Sequence, residues 1–304
     1  MDRFSRPISP QTRLVPKGDG FSGTLKYPAL APEGNRLNQP NSFLLPIFSP
    51  SQLGTYLHAD NDGLGVSLDH RRALMNAAWA VHWHHDAVWE DDFLLLYSAA
   101  YGRYLAATDA PAPRGGRGRR VVQRNHDHPE FEAMFWYAAL SESGDEVCLH
   151  HFHGGSLRAN TTYPYLRWTN SISVDDTGNV TTMMHWVVED IPAREGMPPL
   201  PPPTGLPFAA AMWRWRVIQY VWPNVVDRGS FLFWGRSVFH LRDELARRLA
   251  IDVSDLVMCF RTDAGRVTPL LVDLPRNHET LVISVVIVGT PVHATLRYPD
   301  VDAE

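Results

Sequence analysis

A short motif that occurs three times constrains the fold of this chain more than any other feature of the sequence. Each copy reads Gly-x-(Tyr/Ser)-Leu-x-Ala, and the three leucines are 48 and 52 residues apart. A glycine readily supplies the positive φ of a tight turn, and Leu and Ala two positions apart share one face of a strand. The copies predict three hairpins whose second strands pack inward. They are Gly54–Ala59, Gly102–Ala107 and Gly154–Ala159.

A tryptophan follows each copy of the motif at a comparable distance. Trp79, Trp136 and Trp186 all lie in strand-like runs, and the runs 93–97 and 147–152 precede the second and third motifs. A large ring at an equivalent place in each segment predicts one shared core, in which each indole N–H requires a hydrogen-bond acceptor. These residues predict the fold, but they do not indicate which ligand the domain binds.

A proline-rich run separates this β domain from the rest of the chain. Residues 198–205 read Pro-Pro-Leu-Pro-Pro-Pro-Thr-Gly, which favours an extended polyproline conformation. The run predicts a semi-rigid spacer between two domains. Its use as the ligand of a proline-recognising module is the alternative.

After the spacer the pattern changes to a short series of alternating elements. The order strand, strand, helix, strand, strand is that of a ubiquitin-like β-grasp, in which the first and last strands pair in parallel. We expect this domain to fold independently and to act as a second docking surface for proteins. The predicted elements are strands at 213–221 and 230–234, an amphipathic helix at 238–250 after an N-cap at Ser237, and strands at 257–260 and 281–288.

These patterns divide the chain into five parts. They are a disordered N-terminal arm at 1–41, the three-repeat β domain at 42–191, a Pro-rich linker at 192–209, the β-grasp domain at 210–290 and a tail at 291–304.

Composition limits the partners and the compartment. The net charge of −5 gives no overall attraction for nucleic acid, so we expect no nucleic-acid partner. The longest apolar stretch, 281–288, is far shorter than the ~20 residues of a membrane-spanning helix, and we expect no membrane association. Only Cys148 and Cys259 are present, each in an apolar run, which predicts a reducing compartment, the cytoplasm and also the nucleus.

Four segments resemble, in the same order, a plant family described as actin cross-linking or fascin-like. They are Tyr101–Ala107, Gly118–Gln123, Leu157–Asn160 and Trp168–Ser173. The resemblance covers 43–191, and many members continue with a unit that begins like Arg216–Val221. The first strand departs from the family, since 43–48 contains Pro46 and lacks the usual basic residues.

The resemblance implies a mainly β chain, in which a β-trefoil of three repeats precedes the small α+β β-grasp domain. It also implies a non-enzymatic protein-binding module that binds or cross-links actin filaments. The trefoil is a scaffold for several kinds of binding, so carbohydrate or metal-ion binding in its pockets stays the alternative.

A run of arginines is the candidate surface for a protein partner. Arg114, Arg117, Arg119, Arg120 and Arg124 lie among glycines and predict a flexible basic loop in an otherwise acidic protein. Arginine forks bind acidic filament surfaces, phosphate groups or RNA. A solvated turn without a ligand is the alternative.

Aromatic and histidine residues are the candidates for a small ligand. Tyr163, Tyr165 and Trp168 would offer platforms for sugar rings. Four histidines could meet and bind zinc or copper, or could lie on a solvated strand face. They are His82, His84, His151 and His153.

Catalytic motifs are missing from the sequence. The chain has no Gly-x-Ser-x-Gly elbow, no phosphate-binding glycine loop and no His-Glu-x-x-His helix. We therefore expect neither catalysis nor a cofactor.

Overall fold

A barrel of six antiparallel strands forms the centre of the N-terminal domain. The computed structural model describes residues 43–49, 54–141, 144–160, 170–203, 215–222, 228–262 and 266–303. Around the barrel each strand pairs with the next, and the last returns to the first through Ile47 and Val188. The barrel strands are β1 (Phe43–Ser49), β4 (Ala78–Asp86), β5 (Asp91–Ser98), β8 (Trp136–Leu140), β9 (Val147–His151) and β12 (His185–Val188).

Three further pairs of strands cover one end of this barrel. β11 pairs with both β3 and β7, so the three pairs meet there. The strand that carries each motif follows a glycine with φ between 67° and 87°, and its leucine is fully buried, as the motif predicts. The pairs are β2 (Thr55–Ala59) with β3 (Val66–Asp69), β6 (Tyr104–Pro111) with β7 (Arg119–Arg124), and β10 (Ser156–Asn160) with β11 (Ser171–Asp175).

The three tryptophans make equivalent hydrogen bonds inside the domain. Each is fully buried and begins its strand or lies one residue inside it, after a short 3-10 turn at 75–77, 131–134 or 182–184. The indole N–H of each donates to the carbonyl oxygen of the leucine in the preceding motif strand. The pairs are Trp79 with Leu57 at 2.9 Å, Trp136 with Leu105 at 3.0 Å and Trp186 with Leu157 at 3.0 Å.

The C-terminal domain is a five-stranded sheet with one helix across a face. Its strand order is β15-β14-β18-β16-β17, and β14 pairs with β18 in parallel, as expected for a β-grasp. The elements are β14 (Trp215–Val221), β15 (Arg228–Trp234), α1 (Val238–Leu249), β16 (Leu256–Arg261), β17 (Val267–Pro269) and β18 (Leu281–Ile287).

Local chemistry sets the bounds of α1 close to those predicted. The Ser237 side chain accepts a hydrogen bond from the His240 amide at the N-terminus, and Ala250 adopts a left-handed conformation with φ 55° at the C-terminus. Leu241 and Leu245 are fully buried and belong to one cluster with Ile283 of β18. The amphipathic pattern therefore identifies the buried face of the helix.

The other face of the same sheet packs on the trefoil-like domain. Val257, Cys259 and Val286 belong to one continuous buried cluster with Leu57 and Trp79. All of the described residues fall in one compact unit. Part of the apolar surface of the β-grasp domain is therefore covered by the neighbouring domain, and independent folding stays a prediction from the sequence.

The predicted linker and tail take part in this packing. β13 (Ala193–Arg194) pairs with β19 (Tyr298–Pro299), which follows α2 (Pro291–Thr295). Leu296 and Tyr298 are buried, and Met197 and Leu200 pack against the shared cluster. Proline alone favours a spacer, but this spacer is fixed at one end by strand pairing. Among the described residues, no helix is long and apolar enough to cross a membrane.

Candidate functional site

The predicted arginine loop is an ordered turn between β6 and β7. The Gly116 amide donates to the Pro113 carbonyl oxygen at 2.9 Å, and Gly115 has a φ of 89°, as a turn of this kind requires. The Ala112 amide also donates to the Gly118 carbonyl oxygen at 2.9 Å. Gly115 and Gly118 provide the positive φ values that close the turn, and the flexibility expected from the glycines stays a prediction.

Two of the five arginines have acidic partners within the fold. Arg119 donates to the Gly154 carbonyl oxygen at 2.5 Å and lies 3.3 Å from Asp176. Arg124 donates to Glu130 at 2.5 Å. This guanidinium lowers the pKa of the Glu130 carboxyl. The hydrogen bonds and ion pairs of both arginines therefore stabilise the position of the β6–β7 pair within the domain.

The other three arginines keep their charge exposed. Arg114, Arg117 and Arg120 are all exposed, and no carboxylate of the described residues forms an ion pair with them. We call the segment from Ala112 to Arg120 the basic hairpin. It presents three exposed guanidinium groups on a hydrogen-bonded turn.

A shallow groove of about 760 Å³ begins beside the basic hairpin. Arg120 and Arg124 line it together with Asp109 and Asp127. Its lining therefore carries both signs of charge together with amide and hydroxyl groups. Glu279 of the C-terminal domain also borders the groove, so both domains contribute to it.

Two arginines hold the loop of the C-terminal domain that reaches this groove. Arg103 donates through Nη1 to the Gly63 carbonyl oxygen at 2.7 Å and through Nη2 to Glu279. Arg216 donates to the carbonyl oxygens of Pro275 and Asn277. Burial lowers the pKa of Arg216 to about 10, so it stays charged at neutral pH.

The four candidate histidines do not assemble into a metal site. His82 is buried with Nδ1 3.0 Å from the Tyr104 hydroxyl, and His84 lies 3.7 Å from Asp86. Of the described residues, no group of three or more His, Cys, Asp and Glu could hold a metal ion. His82 is 4% exposed, so the expectation of a solvated strand face is wrong for this residue.

The other two histidines lie close together but have different partners. His151 is buried, and its Nε2 is 3.0 Å from the Ala133 carbonyl oxygen, whereas His153 lies 3.5 Å from Glu132. Burial lowers the pKa of His151 to about 4. His151 therefore has a packing role, like His82. The aromatic candidates Tyr163, Tyr165 and Trp168 lie outside the described residues.

An exposed apolar surface on the C-terminal sheet was not predicted from the sequence. In the register of β14 and β15, Trp215 is opposite Trp234 and Val217 is opposite Leu232. Val282 of β18 is next to Gln219 on the same face. We call this surface the tryptophan face. Four of its side chains are about half exposed: Trp215 49%, Leu232 53%, Trp234 53% and Val282 48%. The alternation of Trp215 and Val217 was the available signal.

Comparisons with solved structures give only distant likenesses. A ricin B-like lectin from Macrolepiota procera in complex with lactose is 18% identical, with coverage of 50% of this chain and 99% of that chain and a TM-score of 0.38. The SDF2-like protein from Arabidopsis thaliana is 14% identical, with coverage of 49% and 92% and a TM-score of 0.40. Scores below 0.5 carry no functional argument. No curated protein matches the chain.

Family models match both domains of the chain. Residues 49–189 match the model described as a beta-trefoil domain of unknown function, DUF569. Residues 216–287 match the model described as a DUF569-associated ubiquitin-like domain. These bounds agree with the barrel with its three covering pairs and with the five-stranded sheet. The chain therefore carries a DUF569 β-trefoil domain followed by a DUF569-associated ubiquitin-like domain.

Proposed function

We propose that this chain is a non-enzymatic protein-binding protein whose trefoil contacts an acidic protein surface through the basic hairpin. The supporting observation is that Arg114, Arg117 and Arg120 are exposed and have no acidic partner among the described residues, whereas the neighbouring Arg119 and Arg124 are paired within the fold. Exposed guanidinium groups form charge-assisted, often bidentate hydrogen bonds with carboxylates.

The charge of the whole chain supports an oriented contact. With a net charge of −5, the chain as a whole repels an acidic surface, while the basic hairpin attracts it. An acidic partner should therefore approach this hairpin and not other faces. Actin filaments are the specific partner that the fascin-like resemblance suggests, and we propose them on that resemblance alone.

We also infer that the trefoil consists of three repeats. The three indole hydrogen bonds to Leu57, Leu105 and Leu157 support this inference, as do the three strand pairs that meet at one end of the barrel. Only the second repeat carries the basic hairpin, so a monomer offers one contact of this kind.

Cosedimentation with actin filaments at low salt tests the proposal. We expect the wild-type chain to pellet with the filaments. We expect Arg114→Ala, Arg117→Ala and Arg120→Ala combined to remove most of this binding. The matched control changes Arg261, Arg266 and Arg276 to Ala, because these exposed arginines of the ubiquitin-like domain give the same change in net charge.

The possible outcomes distinguish binding at the basic hairpin from a general effect of net charge, and actin from other acidic partners. Loss in the hairpin variant alone supports the proposal. Equal losses in both variants would show that net charge and not the hairpin governs binding. If the wild-type chain does not pellet, actin is excluded as the partner. Retention on immobilised poly-glutamate would then show whether the hairpin binds acidic protein surfaces at all. Weaker binding as salt is added is expected in each case, since exposed charges are screened.

Binding of a carbohydrate in the groove is the second candidate. Asp109, Asp127 and Asn125 line the groove and could exchange hydrogen bonds with sugar hydroxyls. A glycan that binds only the folded chain must raise its melting temperature. A rise that is lost in Asp127→Asn would favour this candidate. The same panel should include divalent metals, for which the described residues offer no ligand cluster.

A further inference from the structure

We propose that two copies of this chain pair along the edge of β15, beside the tryptophan face, to form a twofold dimer. This inference goes beyond the basic hairpin, because it concerns the other domain and a different partner. The tryptophan face and the edge are adjacent: Leu232 and Trp234 belong to both.

The edge of β15 is open and lacks the usual protection. β15 is the outermost strand of its sheet and has no second strand partner among the described residues. Its seven residues pair with β14 in one unbroken register. Natural edge strands are commonly protected by lysine, proline or a bulge, and Arg-Gly-Ser-Phe-Leu-Phe-Trp contains only one charge, Arg228 at its start. Such an edge favours pairing with another strand.

The tryptophan face continues an interface that is already formed. On the same side of the sheet, Val257, Cys259 and Val286 are buried against the trefoil. The sheet is thus covered by the trefoil on the β16 side, while Trp215 and Trp234 stay half exposed on the β15 side. A second copy paired at this edge would continue the sheet, so that the exposed side chains of the two copies lie side by side on one face and contact each other laterally.

Apolar side chains lie beside the edge that would be paired. Leu232 and Trp234 of β15 are each 53% exposed on one face of the sheet. In an antiparallel pair, side chains on the same face of neighbouring strands are in contact, so pairing would cover the flanks of both. An edge of seven residues is about 24 Å long, and its unpaired backbone groups supply the remaining interactions.

Charge favours an antiparallel arrangement of the two copies. Gln219 and Ser230, the polar residues next to the apolar side chains, are uncharged, and Arg228 is the only charged residue of β15. Antiparallel pairing places the two Arg228 side chains at opposite ends, each towards the partner's Trp234, where a cation–π contact is possible. Parallel pairing would place the two positive charges side by side.

Sedimentation velocity of the full chain over about 1 to 100 µM tests the dimer, because association in this range follows mass action. We expect a concentration-dependent dimer in the wild-type chain. Leu232→Lys should raise the dimer dissociation constant at least tenfold by placing two charges in the interface. The control is Val88→Lys, since Val88 is 83% exposed in the trefoil and far from β15 in the sequence.

A cross-link tests the arrangement without disturbing the core. Cys148 and Cys259 are both buried, so Ser230→Cys adds the one exposed thiol among the described residues. With a short bis-maleimide, which bridges thiols that lie too far apart for a direct disulfide, we expect a covalent dimer for Ser230→Cys and not for Val88→Cys. A chain that stays monomeric at all concentrations would overturn the proposal, as would a dimer that survives Leu232→Lys and gives no Ser230→Cys cross-link.

The experiments test the dimer and the proposed function independently of each other. Monomeric Leu232→Lys keeps the basic hairpin, so it should still pellet with filaments, whereas bundling of filaments requires two hairpins and should be lost.

Discussion

Arg103 of the trefoil and Glu279 of the ubiquitin-like domain form an ion pair across the boundary between the two domains. Arg103 is only 7% exposed, and its other Nη donates to Gly63 within the trefoil. The side chain therefore ties a trefoil loop to a loop of the second domain. The buried guanidinium group of Arg103 has both of its partners only when the two domains are docked. The effect of removing Arg103 therefore reports on the docking of the domains.

Removal of Arg103 should weaken the docked fold. We expect Arg103→Ala to lower the free energy of unfolding by about 1–3 kcal/mol, because the buried Gly63 carbonyl oxygen and the Glu279 carboxylate lose their donor. Arg71→Ala is the control, since Arg71 pairs with Asp69 at a site that is 65% exposed and should cost less than about 1 kcal/mol. Urea titration of the full chain measures both. Equal costs would show that the boundary pair adds nothing.

The two domains should unfold together. Val257, Cys259 and Val286 share a buried cluster with the trefoil, so separation of the domains exposes apolar surface on both. We expect a single calorimetric transition whose van't Hoff and calorimetric enthalpies agree. Leu245→Asp, which places a charge in the core under α1, should cost several kcal/mol and lower that one transition. Two resolved transitions would contradict the shared core.

Each indole hydrogen bond should contribute measurably to trefoil stability. Trp79→Phe removes the donor to the Leu57 carbonyl oxygen and leaves a cavity, so we expect a loss of about 2–4 kcal/mol. Trp186→Phe should behave similarly, because its contact with Leu157 is equivalent. The control is Trp83→Phe, at a side chain that is 59% exposed. Chemical denaturation monitored by far-UV circular dichroism gives the three values.

Acid should destabilise the trefoil through two buried histidines. Burial lowers the pKa of His58 and of His151 from 6.5 to about 4. Between these values the unfolded chain binds more protons than the folded chain, so stability is full above pH 6.5 and falls as the pH drops towards 4. The loss is roughly 3 kcal/mol for each histidine.

Substitution of these histidines tests the assignment. His58→Gln with His151→Gln should flatten the dependence of the urea midpoint on pH between about pH 7 and pH 4. The control His85→Gln changes a histidine that is 66% exposed and shows whether the loss of any histidine is enough to change the slope. An unchanged slope in the double variant would assign the acid sensitivity to other groups.

Features that depend on neighbouring residues could be predicted from the sequence. The turn glycines, the buried leucines and the helix with its Ser237 cap follow from local conformational preferences and from the periods of strands and helices. Parallel pairing of β14 with β18 followed from the order of the elements. All of these are found in the structure.

Features that depend on distant residues could not be predicted. The pairing of Arg119 with Asp176 joins residues 57 positions apart, and nothing near Arg119 in the sequence distinguishes it from Arg117. Burial of His82 beside Tyr104 likewise depends on how β4 meets β6. The docking of the two domains could not be predicted for the same reason, since the proline run indicates only the conformation of its own backbone.

The strand pair at 193–194 and 298–299 has a consequence for synthesis on the ribosome. The last barrel strand ends at Val188, but Tyr298, which is buried beside β13, follows 110 residues later. At about 5–20 residues per second, the ribosome needs roughly 5–20 s to synthesise the residues that later bury this surface. During that interval the nascent trefoil exposes the apolar surface that Val286 and Tyr298 later bury, and this is the period in which chaperones would be expected to engage it.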